Sequence, residues 1–365
     1  MPAGRYAPSP TGTLHLGNLR TAIVAWLAAR ASGRDFWLRI EDLDRVRSGA
    51  EAEQLTDLRA VGLEWDAAPV RQSERSALYE GAVAALRAAH GPDAVYECCC
   101  SRKDIAQAGS APQAGDATDD DDAPPAPLRP PGFYPGTCRG LTEAERAERR
   151  RERPAALRID AARVAGLPEG SVPEASARDL LHGEVTGLVD DLVLRRNDGA
   201  WAYNLAVVVD DAAQGVDQVV RGDDLLDSAP RQRWLAARIA QAQGRPDAAV
   251  EHLHVPLVLN AQGRRLAKRD GAVTLADLAA EDPAWTPEAV RDRLLASLGL
   301  PAGPLADAVA AFDPAALPRE PWVFPGRLLR RPSARFRGPA RPARTRAGPG
   351  AAAGPSRRPP GRGPR

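Results

Sequence analysis

Three groups of residues in this 365-residue chain combine types and spacings that can do chemistry. The first is His15-Leu16-Gly17-Asn18, at a point where the pattern changes from loop to helix. A helix start offers unpaired backbone N–H groups and the positive end of a dipole, which together suit a phosphate. His15 can donate a hydrogen bond to a phosphate oxygen, and Gly17, lacking a Cβ, lets a flat purine approach the backbone. The second group is Cys98, Cys99 and Cys100, followed by Tyr134 and Cys138. In an extended segment Cys98 and Cys100 share one face, so with Cys138 they supply three quarters of a tetrahedral zinc site. Histidine is the usual fourth ligand, but the nearest, His90 and His182, lie far off in sequence. The third is Arg264-Arg265-Leu266-Ala267-Lys268-Arg269. Lys268 and Lys103 are the only lysines in an arginine-biased chain, and a compact ammonium at Lys268 suits charge developing on phosphate.

Elements that must hold these groups follow from periodicity. A short strand from Gly4 leads through a loop stiffened by Pro8 and Pro10 and a Thr11-Gly12 turn into a helix predicted over Leu16 to Ala31. Its Leu19, Ala22, Ile23, Trp26 and Leu27 recur on one face. Phe36 to Ile40 reads as a buried strand that ends at Glu41, and strand, helix, strand in this order is a βαβ unit of a parallel sheet. Ligands bind beyond the carboxyl ends of such strands, so Glu41 shares a crevice with His15 and can hold an ammonium. Ala50 to Val61 and Ala77 to Ala89 read as helices covering the sheet, Glu143 to Arg153 as a solvated helix, and Ala156 to Asp160 as a strand. Asn197-Asp198-Gly199 between Leu192 to Arg196 and Ala200 to Leu205 predicts a hairpin with Tyr203 on its second strand. Val216 to Val220 reads as a strand ending at Arg221, Ser228 as the cap of a helix reaching Gln243, and His252 to Leu259 as one buried strand. Two short helices, Leu275 to Ala280 and Pro287 to Leu298, complete a folded part expected to end near Pro325.

Composition sets limits. No run of 18 apolar residues and no leader segment is evident, which points to the cytoplasm and away from a membrane, and consecutive cysteines argue against a disulfide framework. Residues 326–365 hold twelve arginines and no acid; with a total of +1, about −11 remains on the first 325 residues. The tail is dense in Pro, Gly and Ala and is expected to be disordered, as is the acidic stretch of about 108–131 containing Asp116 and Asp119 to Asp122.

His15-Leu16-Gly17-Asn18 resembles the first signature of the class I aminoacyl-tRNA synthetases, and Arg5-Tyr6-Ala7-Pro8-Ser9-Pro10 narrows the resemblance to their glutamyl branch. Cys98-x-Cys100 with Tyr134-x-x-x-Cys138 is similar to the glutamyl-queuosine tRNA synthetases, a short branch of that family. This resemblance implies an α/β fold: a Rossmann-like parallel-sheet catalytic domain (1–96 and 191–272) with a zinc-bearing insertion (97–190), and a helical segment (273–325) followed by the tail. It implies ATP with Mg²⁺ at His15, Gly17, Asn18 and Lys268, L-glutamate at Arg5, Tyr6, Ala7, Pro8, Ser9, Glu41, Tyr203 and Arg221, and structural zinc on Cys98, Cys100, Tyr134 and Cys138. Arg221 is suited to a bidentate contact with a carboxylate. The implied reaction is tRNA-independent formation of glutamyl-adenylate by a monomer, then transfer of glutamate to the cyclopentene ring of queuosine in tRNA(Asp). Two departures stand out: 33 residues separate Cys100 from Tyr134, and the second signature carries Arg265, Leu266 and Ala267 in place of Lys, Met and Ser. Two alternatives stay open. A truncated glutamyl-tRNA synthetase, short of the helical anticodon-binding domain into which the full-length ones continue, would charge the 3′ end of tRNA(Glu), whereas a noncatalytic RNA-binding module would use the arginine tail.

Overall fold

The computed structural model describes residues 2–109, 127–264, 266 and 273–325. Strand β1 (Ala3–Tyr6) runs through the loop of residues 7–15 into the helix Leu16–Ala31 and returns as β2 (Asp35–Ile40), paired parallel to β1. Gly4 permits this tight unit, because a Cβ there would lie 2.8 Å from the Cβ of Ala29 on the helix. The helix begins in a capping box: His15 Nδ1 accepts from the Asn18 N–H, and Asn18 Oδ1 accepts from the His15 N–H. Its apolar residues are buried nearly all round, since the sheet lies on one side and the C-terminal helices on the other.

The short β3 (Val70–Arg71) pairs with β2, and the helices Ala50–Ala60 and Ser76–His90 flank it. β4 (Val95–Cys98) then leaves the main sheet and pairs antiparallel with β5 (Ala156–Ile159). A hairpin that sequence reasoning missed follows, β6 (Glu174–Asp179) against β7 (Gly183–Leu188). It adds to the main sheet rather than to the β4–β5 pair, and β8 (Val193–Arg195) completes the smaller sheet. β9 (Val216–Gly222) and β10 (Glu251–Val255) close the main sheet, whose order is β3-β2-β1-β9-β10-β6-β7, parallel except for the β6–β7 hairpin at its edge. The expected α/β architecture on a mainly parallel sheet is therefore present.

Three expectations need correction. Tyr203 does not lie on a hairpin strand; it opens the helix Tyr203–Gln214, and only an isolated bridge, Arg195 to Trp201, remains of the hairpin. Val207-Val208-Val209 favours a strand by intrinsic preference, but Leu205 to Asp211 are all buried between the helices Ser76–His90 and Ala229–Ala242, and that packing outweighs a propensity of a few tenths of a kcal/mol per residue. Ser228 makes no side-chain cap bond, because a 3₁₀ turn over Asp223–Ser228 feeds straight into the helix Ala229–Ala242. Pro256 splits the expected strand into β10 and β11 (Val258–Leu259), the latter pairing with β12 (Trp322–Val323).

The helix Leu275–Glu281 packs Leu275 and Leu278, and the helix Pro287–Ala296 with the turn after it packs Leu294, Leu295 and Leu298, into the core around the first helix. Buried Arg20 ties the two together through Ser297 Oγ at 3.0 Å and the Pro256 carbonyl at 3.0 Å. Among the described residues, no helix is long and apolar enough to cross a membrane.

Candidate active site

The carboxyl ends of β1, β2 and β9 and the start of the first helix enclose a cavity of about 590 Å³. Arg5, Tyr6, Ala7, Pro8, Ser9, His15, Gly17, Asn18, Glu41, Tyr203 and Arg221 all line it. Lys268, with Arg265 and Ala267, lies outside the described residues, as do most of the acidic stretch and the whole arginine tail; Leu266 reaches the cavity wall.

The loop after β1 is fastened at several points. The Glu41 N–H donates to the Pro8 carbonyl at 3.0 Å, and the Thr11 N–H to the Ser9 carbonyl at 2.8 Å. Gln54, buried on the helix Ala50–Ala60, donates to the carbonyls of Ser9 (3.0 Å) and Gly12 (2.6 Å). Gly17 serves a neighbour in addition to any ligand: a Cβ there would meet His15 Cε1 and Nδ1 at 3.0 Å, so the glycine leaves room for the imidazole that caps the helix.

Beneath the cavity sits a buried ionic cluster. Arg5 gives its Nε and Nη2 to the two oxygens of Asp211 at 3.1 and 3.2 Å, and fully buried Arg39 reaches Asp211 at 2.6 Å and Glu41 at 3.5 Å. Asp210 accepts from Gln72, Arg75 and Tyr79, and lies 3.9 Å from Arg39. Burial would raise the Asp211 carboxyl, but Arg39 and Arg5 outweigh it and hold it at about 2. Burial pushes Glu41 up, against the pull of Arg39 and Arg5, and burial with the Glu41 charge pushes the Tyr6 phenol up as well. Glu41 is thus a desolvated carboxylate stabilised by guanidinium partners, an arrangement that can receive an ammonium.

Arg221 meets protein acceptors through all three of its nitrogens. Its Nε donates to His254 Nε2 at 2.8 Å, Nη1 to Gln232 Oε1 at 2.6 Å and at 3.5 Å to the Tyr203 hydroxyl, and Nη2 to the Leu225 carbonyl at 3.2 Å. In Arg5 and Arg221 alike the Nε is bonded within the protein, so only the Nη ends are left for a carboxylate. Sequence reasoning missed Gln54, Arg39, Asp211 and Gln232. Polar side chains inside helices and strands look solvated in one dimension, and only the doublet Asp210-Asp211 next to an apolar run hinted otherwise.

The cysteine cluster lies apart, where β4 meets the turn before the helix Glu143–Glu152. The sulfurs of Cys98, Cys100 and Cys138 lie within 4.8 Å of one another and can hold a metal ion. Cys98 Sγ is 3.3 Å and Cys100 Sγ 3.9 Å from the Tyr134 hydroxyl, and Cys100 Sγ is 3.5 Å from Cys138 Sγ. Four donors about 2.3 Å or less from a tetrahedral ion are ~3.5–3.8 Å apart, and the 3.3, 3.5 and 3.9 Å separations lie within a few tenths of an ångström of that window. The Cys138 N–H donates to the Tyr134 hydroxyl at 2.8 Å, and the Arg149 guanidinium stands 3.3 Å from Cys138 Sγ, offsetting thiolate charge. Asp190 accepts from the Tyr134 N–H, and Asp191 from Tyr96, Arg139 and the Ala161 N–H, which fastens the cluster to the segment after β7.

Residues 3–308 match the family model for the catalytic domain of class I tRNA synthetases, E and Q type. A glutamyl-Q tRNA(Asp) synthetase of Nocardia farcinica is 56% identical over 332 residues, covering 91% of this chain and 96% of the relative. The chain belongs to this family. A second glutamyl-Q tRNA(Asp) synthetase, from Symbiobacterium thermophilum, is 44% identical and covers 90% of this chain and 98% of its own length. Among solved structures, a glutamate-tRNA synthetase from Elizabethkingia anophelis superposes with a TM-score of 0.65 at 25% identity, over 89% of this chain and 68% of that one. The class I glutamyl fold thus extends across both the cavity and the cysteine cluster of this glutamyl-Q tRNA(Asp) synthetase family member.

Proposed function

We propose that this chain is an ATP-dependent ligase that activates L-glutamate without tRNA and transfers it to queuosine in tRNA(Asp), acting in the cytoplasm as a monomer. The observation that carries this reading is the 56% identity to a glutamyl-Q tRNA(Asp) synthetase over nearly the full length of both chains. MgATP is the nucleotide substrate. In this reading the glutamate α-carboxylate attacks the α-phosphorus, the bond to the β-phosphate oxygen breaks, and pyrophosphate leaves. Glu41 holds the ammonium, while Arg5, Arg221, Tyr203 and Ser9 hold carboxylate and the loop backbone from Tyr6 to Pro8 shapes the floor. The His15 imidazole, whose Nδ1 accepts from Asn18 and whose Nε2 can therefore donate, and the helix start at Gly17 and Asn18 face the nucleotide, with Lys268 stabilising charge on the phosphates. Positioning and electrostatics suffice, because no protein nucleophile is needed. A cyclopentene hydroxyl of queuosine then attacks the activated carbonyl and AMP departs.

Zinc on Cys98, Cys100, Tyr134 and Cys138 has a structural part in this reading: when bound it crosslinks β4 to the turn before the helix Glu143–Glu152. The donor spacings described above support it.

The deciding test is transfer of radiolabelled glutamate to aspartate tRNA with and without queuosine, beside glutamate tRNA. Base-labile label on the queuosine-containing tRNA alone is the expected result; label on glutamate tRNA would overturn the reading in favour of 3′-end charging.

A further inference from the structure

Asp179, His254 and Arg221 stand side by side on three neighbouring strands. His254 on β10 is the register partner of Arg221 on β9, and Asp179 ends β6 on the other side of β10. All three are buried, His254 completely. Asp179 Oδ1 accepts the N–H groups of Leu181 and His182, and Oδ2 accepts that of His254 at 2.9 Å and faces His254 Nδ1 at 2.7 Å. A carboxylate accepting this many bonds is ionised, so the proton between Oδ2 and Nδ1 belongs to the imidazole. On the far side of the ring, Nε2 stands 2.8 Å from Arg221 Nε, which can only donate. His254 is therefore the neutral Nδ1–H tautomer with its lone pair capped by a guanidinium. That cap removes it as a general base and makes it an orienting group.

We propose that His254, fixed by Asp179, is a positioning residue for glutamate recognition: it holds Arg221 edge-on so that the Nη end beside Tyr203 meets the substrate carboxylate. This rests on the glutamate-activating reading above. Four of the five Arg221 N–H groups have protein acceptors, one of them the long contact to Tyr203. The one left, on Nη2, with the Tyr203 contact that a ligand can displace, forms a cationic donor pair. A carboxylate satisfies it; a carboxamide turns its own NH₂ toward it or offers an uncharged oxygen. Without the His254 acceptor the buried Nε–H is orphaned and the guanidinium can rotate to relieve it, so the donor pair loses its aim.

The test is glutamate-dependent ATP–pyrophosphate exchange by the full chain, measured against glutamate, glutamine and ATP. His254→Phe keeps the ring and removes the acceptor; His254→Gln restores an acceptor near the position of Nε2. The expected result is a glutamate KM raised roughly 10- to 100-fold in His254→Phe, with the glutamate-to-glutamine preference falling by a similar factor, the ATP KM within about twofold, and partial rescue in His254→Gln. Asp179→Asn, which lets the ring carry its proton on Nε2 against Arg221, should raise the glutamate KM likewise and serves if His254→Phe does not fold. An unchanged glutamate KM and preference, or equal losses for glutamate and ATP with no rescue, would overturn the proposal. If the wild-type chain showed no glutamate-dependent exchange, the functional reading itself would fall, and the proposal with it.

Discussion

Asp211→Asn probes the buried cluster beneath the cavity with little change of shape. In the wild type one carboxylate meets Arg5 at 3.1 and 3.2 Å and Arg39 at 2.6 Å, with Arg39 wholly buried. The amide keeps an acceptor for one arginine, but it leaves two guanidinium groups with one negative charge fewer between them. The carboxyl is held at about 2 instead of its ordinary 3.8, which corresponds to roughly 2–3 kcal/mol of stability. Breaking a buried pair typically costs about 3–5 kcal/mol, so a loss near 3 kcal/mol at pH 7 is expected in urea denaturation. The sign with pH follows. A carboxyl lowered by folding stabilises fully above its unfolded value and loses that contribution as pH falls through the folded one, so the gap between the two proteins should persist to about pH 4 and shrink toward pH 2. Glu41, raised by burial and in part by the Asp211 charge, contributes a slope of opposite sign above its ordinary 4.5; Asp211→Asn removes that part, so the test of the Asp211 account is read below pH 4, where Asp211 itself titrates. A gap that stays constant from pH 4 to pH 2, or one under about 0.5 kcal/mol at pH 7, would refute the ionic account.

Two further perturbations separate site from scaffold. Gly17→Ala should lower kcat/KM for ATP by about tenfold in pyrophosphate exchange while melting shifts by less than about 1 kcal/mol, because alanine's helix preference offsets the disturbed His15 cap; unchanged kinetics would mean the imbalance at His15 is absorbed without consequence. Cys138→Ser should cut zinc content, measured by atomic emission on the purified chain, from about one ion to near none, and should expose the helix Glu143–Glu152 to proteolysis; a full complement of zinc in the variant would remove Cys138 from the ligand set.

Much of the nucleotide-binding half was legible because its cues are local. The first helix matches its predicted bounds, Leu16 and Ala31, since the His15 cap and the apolar spacing both act within a few residues. The β6–β7 hairpin was not legible: Glu174–Asp179 and Gly183–Leu188 carry few apolar residues and no Asn-Gly or Asp-Gly turn, and they are held by a sheet edge formed some 70 residues later. The helix Tyr203–Gln214 misled for the reverse reason, being apolar on nearly every side because neighbours surround it. Arg39, Asp210 and Asp211 take no part in the site inferred from sequence, because the ion pairs that join them across β2 and the helix Tyr203–Gln214 are a cause that no single segment contains.

The place of β9 between β1 and β10 has a consequence for how the chain is made. β1 is finished at Tyr6, yet its second partner ends at Gly222, and Asp211, which receives Arg5, comes only slightly earlier. At a synthesis rate of roughly 5–20 residues per second, on the order of 10–40 s pass with one edge of β1 unpaired and the Arg5 guanidinium without its carboxylate. During that interval the first βαβ unit is an open-edged intermediate that a second nascent chain or a chaperone can engage. The cavity floor is thus set late and all at once, when β9 docks, so a glutamate pocket can exist only after nearly two thirds of the chain has left the ribosome.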